Sequence, residues 1–193
     1  MLYALDLHEL VDENDEPYSY FQFDPVSPEL LEWPWLNGEC FDAPPPEPLA
    51  LKFDPDDEDA GGLPDYQAGP IPLVSARLRR VLEKSGVANI DYFATRIDGG
   101  EVFADFPQYY AVNVIGKVSA LSGNSAMTPT FGTTRMAATI DRLDLPDGLA
   151  RGEKLFRLAE HVITVFVDDA VRRACLAADI DTLRFIPADK WTS

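Results

Sequence analysis

The stretch Val74-Ser-Ala-Arg-Leu-Arg-Arg-Val-Leu-Glu-Lys-Ser-Gly-Val-Ala-Asn-Ile-Asp-Tyr-Phe93 decides the predicted fold, because its pattern of residue types returns 93 residues later. The second stretch is Val167-Asp-Asp-Ala-Val-Arg-Arg-Ala-Cys-Leu-Ala-Ala-Asp-Ile-Asp-Thr-Leu-Arg-Phe-Ile186. Ser75 and Asp168 each stand where the N-cap of a helix belongs, because their oxygens can accept hydrogen bonds from the free amides of a first turn. Such a cap stabilises a helix by about 1 kcal/mol.

The positions after each cap have the spacing of a helix with one apolar face. These positions are Leu78, Val81 and Leu82 in the first stretch and Val171, Ala174 and Cys175 in the second. Gly86 and Asp179 follow, and glycine is the usual residue at the left-handed end of a helix. The next apolar positions, Val87, Ile90 and Tyr92 matched by Ile180, Leu183 and Phe185, predict a strand. The pattern indicates two helix–turn–strand units, in two lobes or as a pseudo-symmetric pair on one sheet, although α+β chains also contain two such units by chance.

Alternating or apolar runs elsewhere predict further strands. They cover residues 3–7, 18–23, 49–53, 89–97, 109–115, 136–143, 155–158, 162–167 and 183–186, with a short helix after Ser27 and a loop at residues 119–132. Several of these strands follow one another directly, which favours an α+β fold with a mixed, mostly antiparallel sheet over regular βαβ alternation. We expect a single domain, residues 1–193, in which a loop-rich segment of residues 1–70 packs on an α+β core of residues 71–193.

The net negative charge of the chain lies entirely in its first third. Residues 1–70 contain 18 acidic residues, one basic residue and 11 of the 16 prolines, whereas residues 71–193 contain 15 acidic and 15 basic residues. A field of this sign repels nucleic acid and anionic membranes and steers basic partners towards the protein. An acidic surface that serves only to keep the protein soluble is the alternative.

The sequence has no motif of a catalytic or metal site. His8 and His161 stand alone, the two cysteines lack C-x-x-C spacing, and residues 123–127 lack the closing glycine of a nucleophile elbow. Residues 54–59 are similar to the start of an EF-hand but lack the glycine at its sixth position. We therefore predict no enzyme, no cofactor and no metal. Unpaired cysteines and the lack of a signal peptide predict a cytoplasmic protein.

Two features indicate a protein partner. Trp33 and Trp35 flank a proline, whose extended geometry sends them to opposite faces, so one can anchor the core while the other contacts a partner. Burial of both is the alternative. Acidic runs can pair with basic side chains of a partner. The predicted partner-binding residues are Asp12, Glu13, Asp15, Glu16, Trp33, Trp35, Asp54, Asp56, Asp57, Glu58 and Asp59.

Short motifs within residues 70–186 resemble those of a known family. They are Asn89-Ile-Asp-Tyr-Phe93, Tyr109-Tyr-Ala-Val-Asn113, Leu143-Asp144, Leu155-Phe-Arg-Leu158 and Leu183-Arg-Phe185. Together they resemble the eleventh immunity family of bacterial polymorphic toxin systems, formerly a domain of unknown function. Asp179 departs from the glycine expected in the second unit.

This resemblance implies a cytoplasmic antidote, without catalytic residues, that binds and blocks a cognate toxin delivered by contact-dependent inhibition or type VI secretion. Many such toxins are nucleases with basic surfaces, so the acidic segment would bind a basic, nuclease-like toxin. No nucleic acid or membrane partner is expected, and self-association is open. The alternatives are an acidic chaperone or adaptor that holds a secreted effector without blocking it, and an enzyme of unrecognised type.

Overall fold

The structure is a computed structural model of the 193-residue chain. It describes residues 1–8, 10–11, 17–53, 62–98, 107–119, 126–130, 137–145 and 152–193. Within these residues, no helix is long and apolar enough to cross a membrane.

Six strands form the larger of two mixed sheets. In spatial order they are β4 (Phe23–Pro25), β5 (Leu49–Phe53), β8 (Ile90–Asp98), β9 (Tyr109–Val114), β7 (Leu73–Ser75) and β6 (Tyr66–Gln67). Strands β5 and β8 pair in parallel, and the other neighbours pair antiparallel.

Five strands form the second sheet. In spatial order they are β10 (Lys117–Val118), β13 (Leu155–Leu158), β14 (Val165–Asp168), β1 (Leu2–Leu7) and β15 (Leu183–Pro187). Two ribbons complete the strands of the described residues: β2 (Leu10–Val11) with β3 (Pro17–Tyr18), and β11 (Ala126–Thr130) with β12 (Ala137–Arg142). The mixed, mostly antiparallel pairing confirms the α+β prediction.

Both predicted helices form, and each begins at its predicted cap. The amide of Leu78 in α1 (Ala76–Lys84) donates to Ser75 Oγ at 3.1 Å, and the amide of Val171 in α2 (Asp169–Ala177) donates to Asp168 Oδ1 at 2.8 Å. The backbone is left-handed beyond both helices, with φ of 76° at Gly86 and 52° at Asp179. Aspartate tolerates this region better than most residues, which explains how it replaces glycine.

The two units have the same local topology on different sheets. Helix α1 connects β7 to β8, and β9 lies between these two strands, antiparallel to both. Helix α2 connects β14 to β15, and β1 lies between them in the same way. Of the two arrangements considered from the sequence, a pair on one sheet is therefore wrong. That the two stretches are a repeat stays a prediction.

Three apolar cores cover the sheets. The central core lies between the sheets and joins both helices to residues of β1, β7, β9 and β14, and the remaining two cores lie on the opposite faces. Alternation along β1 shows this arrangement, because Tyr3 and Leu5 point into the central core while Ala4 joins Phe166 and Trp191 in an outer one.

The N-terminal segment supplies β1, β4, β5 and β6 to the two sheets. One strand predicted there, residues 18–23, is wrong in its middle, because the chain leaves strand geometry after Tyr18 and resumes it at Phe23. The side-chain amide of Gln67 makes two hydrogen bonds to the Phe23 backbone and so takes the place of a neighbouring strand: its Oε1 accepts from the Phe23 amide at 2.9 Å, and its Nε2 donates to the Phe23 carbonyl at 3.0 Å. The predicted loop at residues 119–132 is also wrong in part, since β11 lies within it. The division into a segment and a core stays a prediction.

Candidate partner interface

All of the predicted acidic contact residues belong to stretches outside the described part of the chain. Asp12, Glu13, Asp15, Glu16, Asp54, Asp56, Asp57, Glu58 and Asp59 lie outside the residues that the structure describes. Their part in partner binding stays a prediction, and the two tryptophans are the predicted contact residues that can be located.

Trp35 belongs to the outer core of the six-stranded sheet. Its side chain is 2% exposed, and its indole N–H donates to the Leu30 carbonyl at 2.8 Å. The ring packs edge-on against Phe41 and Phe93, with centroid distances of 5.1 and 5.7 Å. Trp35 therefore has no surface that a partner can contact in this fold.

Trp33 is half-buried and reaches the protein surface. Its indole N–H donates to the Ala43 carbonyl at 3.0 Å, and its ring packs against the margin of the same core. It follows directly on a 3-10 helix, Pro28–Glu32, that begins at Ser27 as predicted. The amide of Glu29 donates to Ser27 Oγ at 3.4 Å. Trp33 is thus held at a rigid turn and keeps part of its ring available.

Residues 26–33 form an exposed acidic and apolar surface, called here the acidic corner. Val26 is 55% exposed and Leu31 is 47% exposed, although the intervening Leu30 is buried. Glu29 and Glu32 are exposed beside them, and Asp42 is exposed further along. Residues 24–48 contain no basic residue. Within the described part of the chain, no basic side chain lies within ion-pair distance of these three acids.

Sequence reasoning missed Glu29 and Glu32 because it weighted runs of adjacent acids. The sequence did contain a signal: Glu29 and Glu32 stand three residues apart, shortly after the Ser27 cap. Between them lie two adjacent leucines, and a helix of a single turn can bury only one of the two. Other acids of the segment have partners: Asp6 lies 2.6 Å from Arg184 Nη2, Glu39 lies 3.7 Å from Lys117 Nζ, and Glu47 accepts the Ala94 amide at 2.5 Å. The acidic corner is therefore the part of the described N-terminal segment that best fits a basic partner.

Asp65 is an acidic residue of the same segment that serves the fold. It is 2% exposed and accepts hydrogen bonds from Ser75 Oγ, from Thr182 Oγ1 at 2.8 Å, and from Arg77 Nε and Nη2 at 2.7 and 2.6 Å. Burial raises the pKa of Asp65, but the hydrogen bonds from Arg77, Ser75 and Thr182 outweigh it and hold the pKa below its usual value. The carboxylate thus ties the N-terminal segment to α1 and to the start of β15.

In the described part of the chain, the nucleophilic and metal-ligating side chains do not form a cluster. Burial raises the pKa of the Cys175 thiol to about 12, while Cys40 is exposed. Burial lowers the pKa of His161, whose ring packs against Trp191 at a centroid distance of 5.2 Å. Among the described residues, no group of three or more His, Cys, Asp or Glu side chains could hold a metal ion.

Comparison with known proteins agrees with the resemblance in the sequence. The family model described as an immunity protein family, Imm11, matches residues 15–190. The matched residues include the acidic corner, both helices and most of both sheets. A search of curated proteins finds no match. The chain, with its two capped helices and two mixed sheets, belongs to the Imm11 immunity protein family.

Proposed function

We propose that this immunity protein binds and inhibits a cognate secreted toxin with a basic, nuclease-like surface, and that the toxin contacts the acidic N-terminal segment. Family membership supports the immunity role. The observation that supports the contact is the acidic corner, where exposed Val26 and Leu31 lie among acids that lack basic partners in the described residues.

The corner combines the two properties that a fast and durable contact needs. Unpaired carboxylates raise the association rate of a basic partner towards about 10⁸–10⁹ M⁻¹s⁻¹ at low salt, against about 10⁵–10⁶ for uncharged encounter. Exposed aliphatic side chains and the free part of Trp33 supply apolar area, which slows dissociation once water is excluded. The acidic runs at residues 12–16 and 54–59 add to the same field through their charge.

A surface that grips phosphate is rich in arginine and lysine, so an acidic inhibitor can occupy it by imitating the charge of the nucleic acid. Inhibition then follows from coverage of the active surface and needs no chemistry from the immunity protein. Because the net charge of residues 71–193 is zero, the attraction comes from the N-terminal segment.

The test uses the toxin domain encoded beside this gene, with binding and toxin activity followed together. We expect tight binding that abolishes activity and weakens steeply with salt. Glu29→Gln with Glu32→Gln should slow association about 3- to 10-fold at low salt, because two charges leave the steering field. Leu31→Ala should mainly speed dissociation.

The matched control is Glu153→Gln with Asp189→Asn, which removes the same charge from two exposed positions elsewhere. An equal slowing by both double variants would sink the assignment of the contact to the corner. Binding that leaves the toxin fully active would instead support an adaptor that holds an effector.

A further inference from the structure

A shallow groove between α1 and α2 has the opposite character to the acidic corner. It has a volume of about 450 Å³ and a small apolar floor with a basic rim. Its lining residues are Arg77, Arg80, Val81, Lys84, Ala174, Ala177, Ala178 and Ile180. The small alanine side chains of the floor leave room for an aliphatic side chain of a partner. The basic side chains of the rim favour a partner that also carries negative charge.

Two cations of this rim have no partner in the described residues. The neighbouring arginines of the two helices are paired, and Arg79 Nε lies 2.8 Å from Glu83 Oε1. Arg172 and Arg173 share Asp169, at 3.2 and 3.1 Å. Arg80 and Lys84 are exposed on one face of α1, and no carboxylate of the described residues lies within ion-pair distance of either.

The groove and the acidic corner match in charge and spacing. Arg80 and Lys84 are four residues apart on an α-helix, which separates them by about 6 Å along its axis. Glu29 and Glu32 are three residues apart on a 3-10 helix, whose longer rise also gives about 6 Å. The exposed Leu31 belongs to the same 3-10 helix, about a third of a turn from the face that Glu29 and Glu32 share, and adds apolar area beside the two charges.

We propose that the groove between α1 and α2 receives the acidic corner of a second copy of this chain. The chain itself supplies both complementary surfaces, whereas the basic toxin proposed above would be repelled by Arg80 and Lys84. The contact involves few side chains on each copy, so it belongs with weak, transient interfaces. It is head-to-tail, because the two surfaces are different parts of the molecule.

Salt should affect this contact in a distinctive way. Two copies with a net charge of −17 repel each other at long range, and at about 0.01 M salt the Debye length of about 30 Å leaves that repulsion unscreened. At about 0.15 M the Debye length is about 8 Å, so the repulsion is screened while facing charges in contact still attract. Self-association should therefore be strongest at intermediate salt and fall again at about 1 M.

Sedimentation velocity of the full chain, up to roughly 100 μM because weak interfaces need high concentration, measures this directly. We expect the mass average to rise with concentration at intermediate salt. Arg80→Glu with Lys84→Glu should abolish the rise. The control, Arg96→Glu with Lys190→Glu at exposed positions outside the groove, has the same net charge and should retain it.

The opposite surface gives the sharper test. Glu29→Lys with Glu32→Lys makes the chain less negative, so reduced repulsion alone would strengthen association, yet we expect association to be lost. Mixing this variant with Arg80→Glu/Lys84→Glu should restore a complex, because the first chain keeps its basic groove, the second keeps its acidic corner, and the two swapped surfaces also attract each other. A wild-type chain that stays monomeric throughout, or association that both variants retain, would overturn the proposal.

If the toxin binds the acidic corner, as the proposed function has it, self-association would cover the same surface. Toxin and second copy would then compete. The sedimentation experiment contains no toxin, so failure of the self-association and failure of the toxin assignment can be told apart.

Discussion

Replacing Asp65 by asparagine should destabilise the protein more than loss of any exposed acid. The substitution keeps the size of the side chain but removes the negative charge that Arg77, Ser75 and Thr182 bond. Hydrogen bonds to a charged group contribute about 1.5–3 kcal/mol each, and breaking a buried ion pair costs about 3–5 kcal/mol.

The Arg77 side chain is 45% exposed and keeps Asp181 at 2.9 Å, so it is not left as a buried unpaired charge. Asparagine can also re-form part of the network with the two hydroxyls. We therefore expect a loss of about 2–4 kcal/mol in the free energy of unfolding at neutral pH, somewhat below the full cost of a broken buried pair.

The effect should depend on pH in a defined direction. The Asp65 pKa is lowered from 3.8 in the folded state, so its charge stabilises the fold above pH 3.8, and this contribution is lost as the pH falls through the lower folded value. Asparagine does not titrate. The stabilities of the wild type and the variant should thus converge on acidification below pH 3.8.

Urea unfolding followed by tryptophan fluorescence measures both effects. With a slope of about 2 kcal/mol per molar urea, in the middle of the usual range, the midpoint should fall by about 1–2 M at neutral pH. Asp181→Asn is the control, because that carboxylate is 81% exposed and its pair contributes about 0–1 kcal/mol. An Asp65→Asn variant within about 0.5 kcal/mol of wild type, the range of ordinary surface changes, would refute the reasoning. A difference that persists below the Asp65 pKa would refute it too.

Two further predictions concern the turns and the thiols. Asp179→Gly should stabilise the protein by about 0.5–1 kcal/mol, because glycine adopts the left-handed backbone at φ 52° without strain. Gly86→Ala should destabilise the protein by about 1–2 kcal/mol, since φ is 76° and the added Cβ would lie 2.9 Å from Lys154 Nζ. Thermal unfolding measures both variants, and a lower melting temperature for Asp179→Gly with a higher one for Gly86→Ala would contradict both predictions. A thiol reagent should modify Cys40 but not Cys175 in the native protein, because Cys175 is buried with a pKa of about 12, and native titration of both thiols would contradict this.

The sequence predicts those parts of the fold that depend on neighbours along the chain. Both helix caps form as expected because a cap needs only the residues two or three positions ahead, as Ser75 and Asp168 show. The strand at Ala126–Thr130 escapes prediction because Pro129 has no amide to donate and argues against a strand. Its pairing with Ala137–Arg142 overrides that preference.

Pairing between distant strands is beyond reasoning of this kind. Alternation predicts that residues 3–7 form a strand, but it contains no information that β14 and β15 are its neighbours. The candidate interface shows the same limit. Leu30 and Leu31 are adjacent and chemically identical, and the 3-10 geometry of the turn alone decides that Leu31 is the exposed one.

The position of β1 has a consequence for how the protein is made. Its partners are made much later than β1 itself, since Tyr3 pairs with Val167 and Pro187. At about 5–20 residues per second, a ribosome needs about 10–40 s to make the intervening chain. The five-stranded sheet cannot form completely during that interval, so Leu2–Leu7 lacks the strands with which it pairs. A cell that relies on this immunity protein gains its protection only after residue 187 of each new chain has been made.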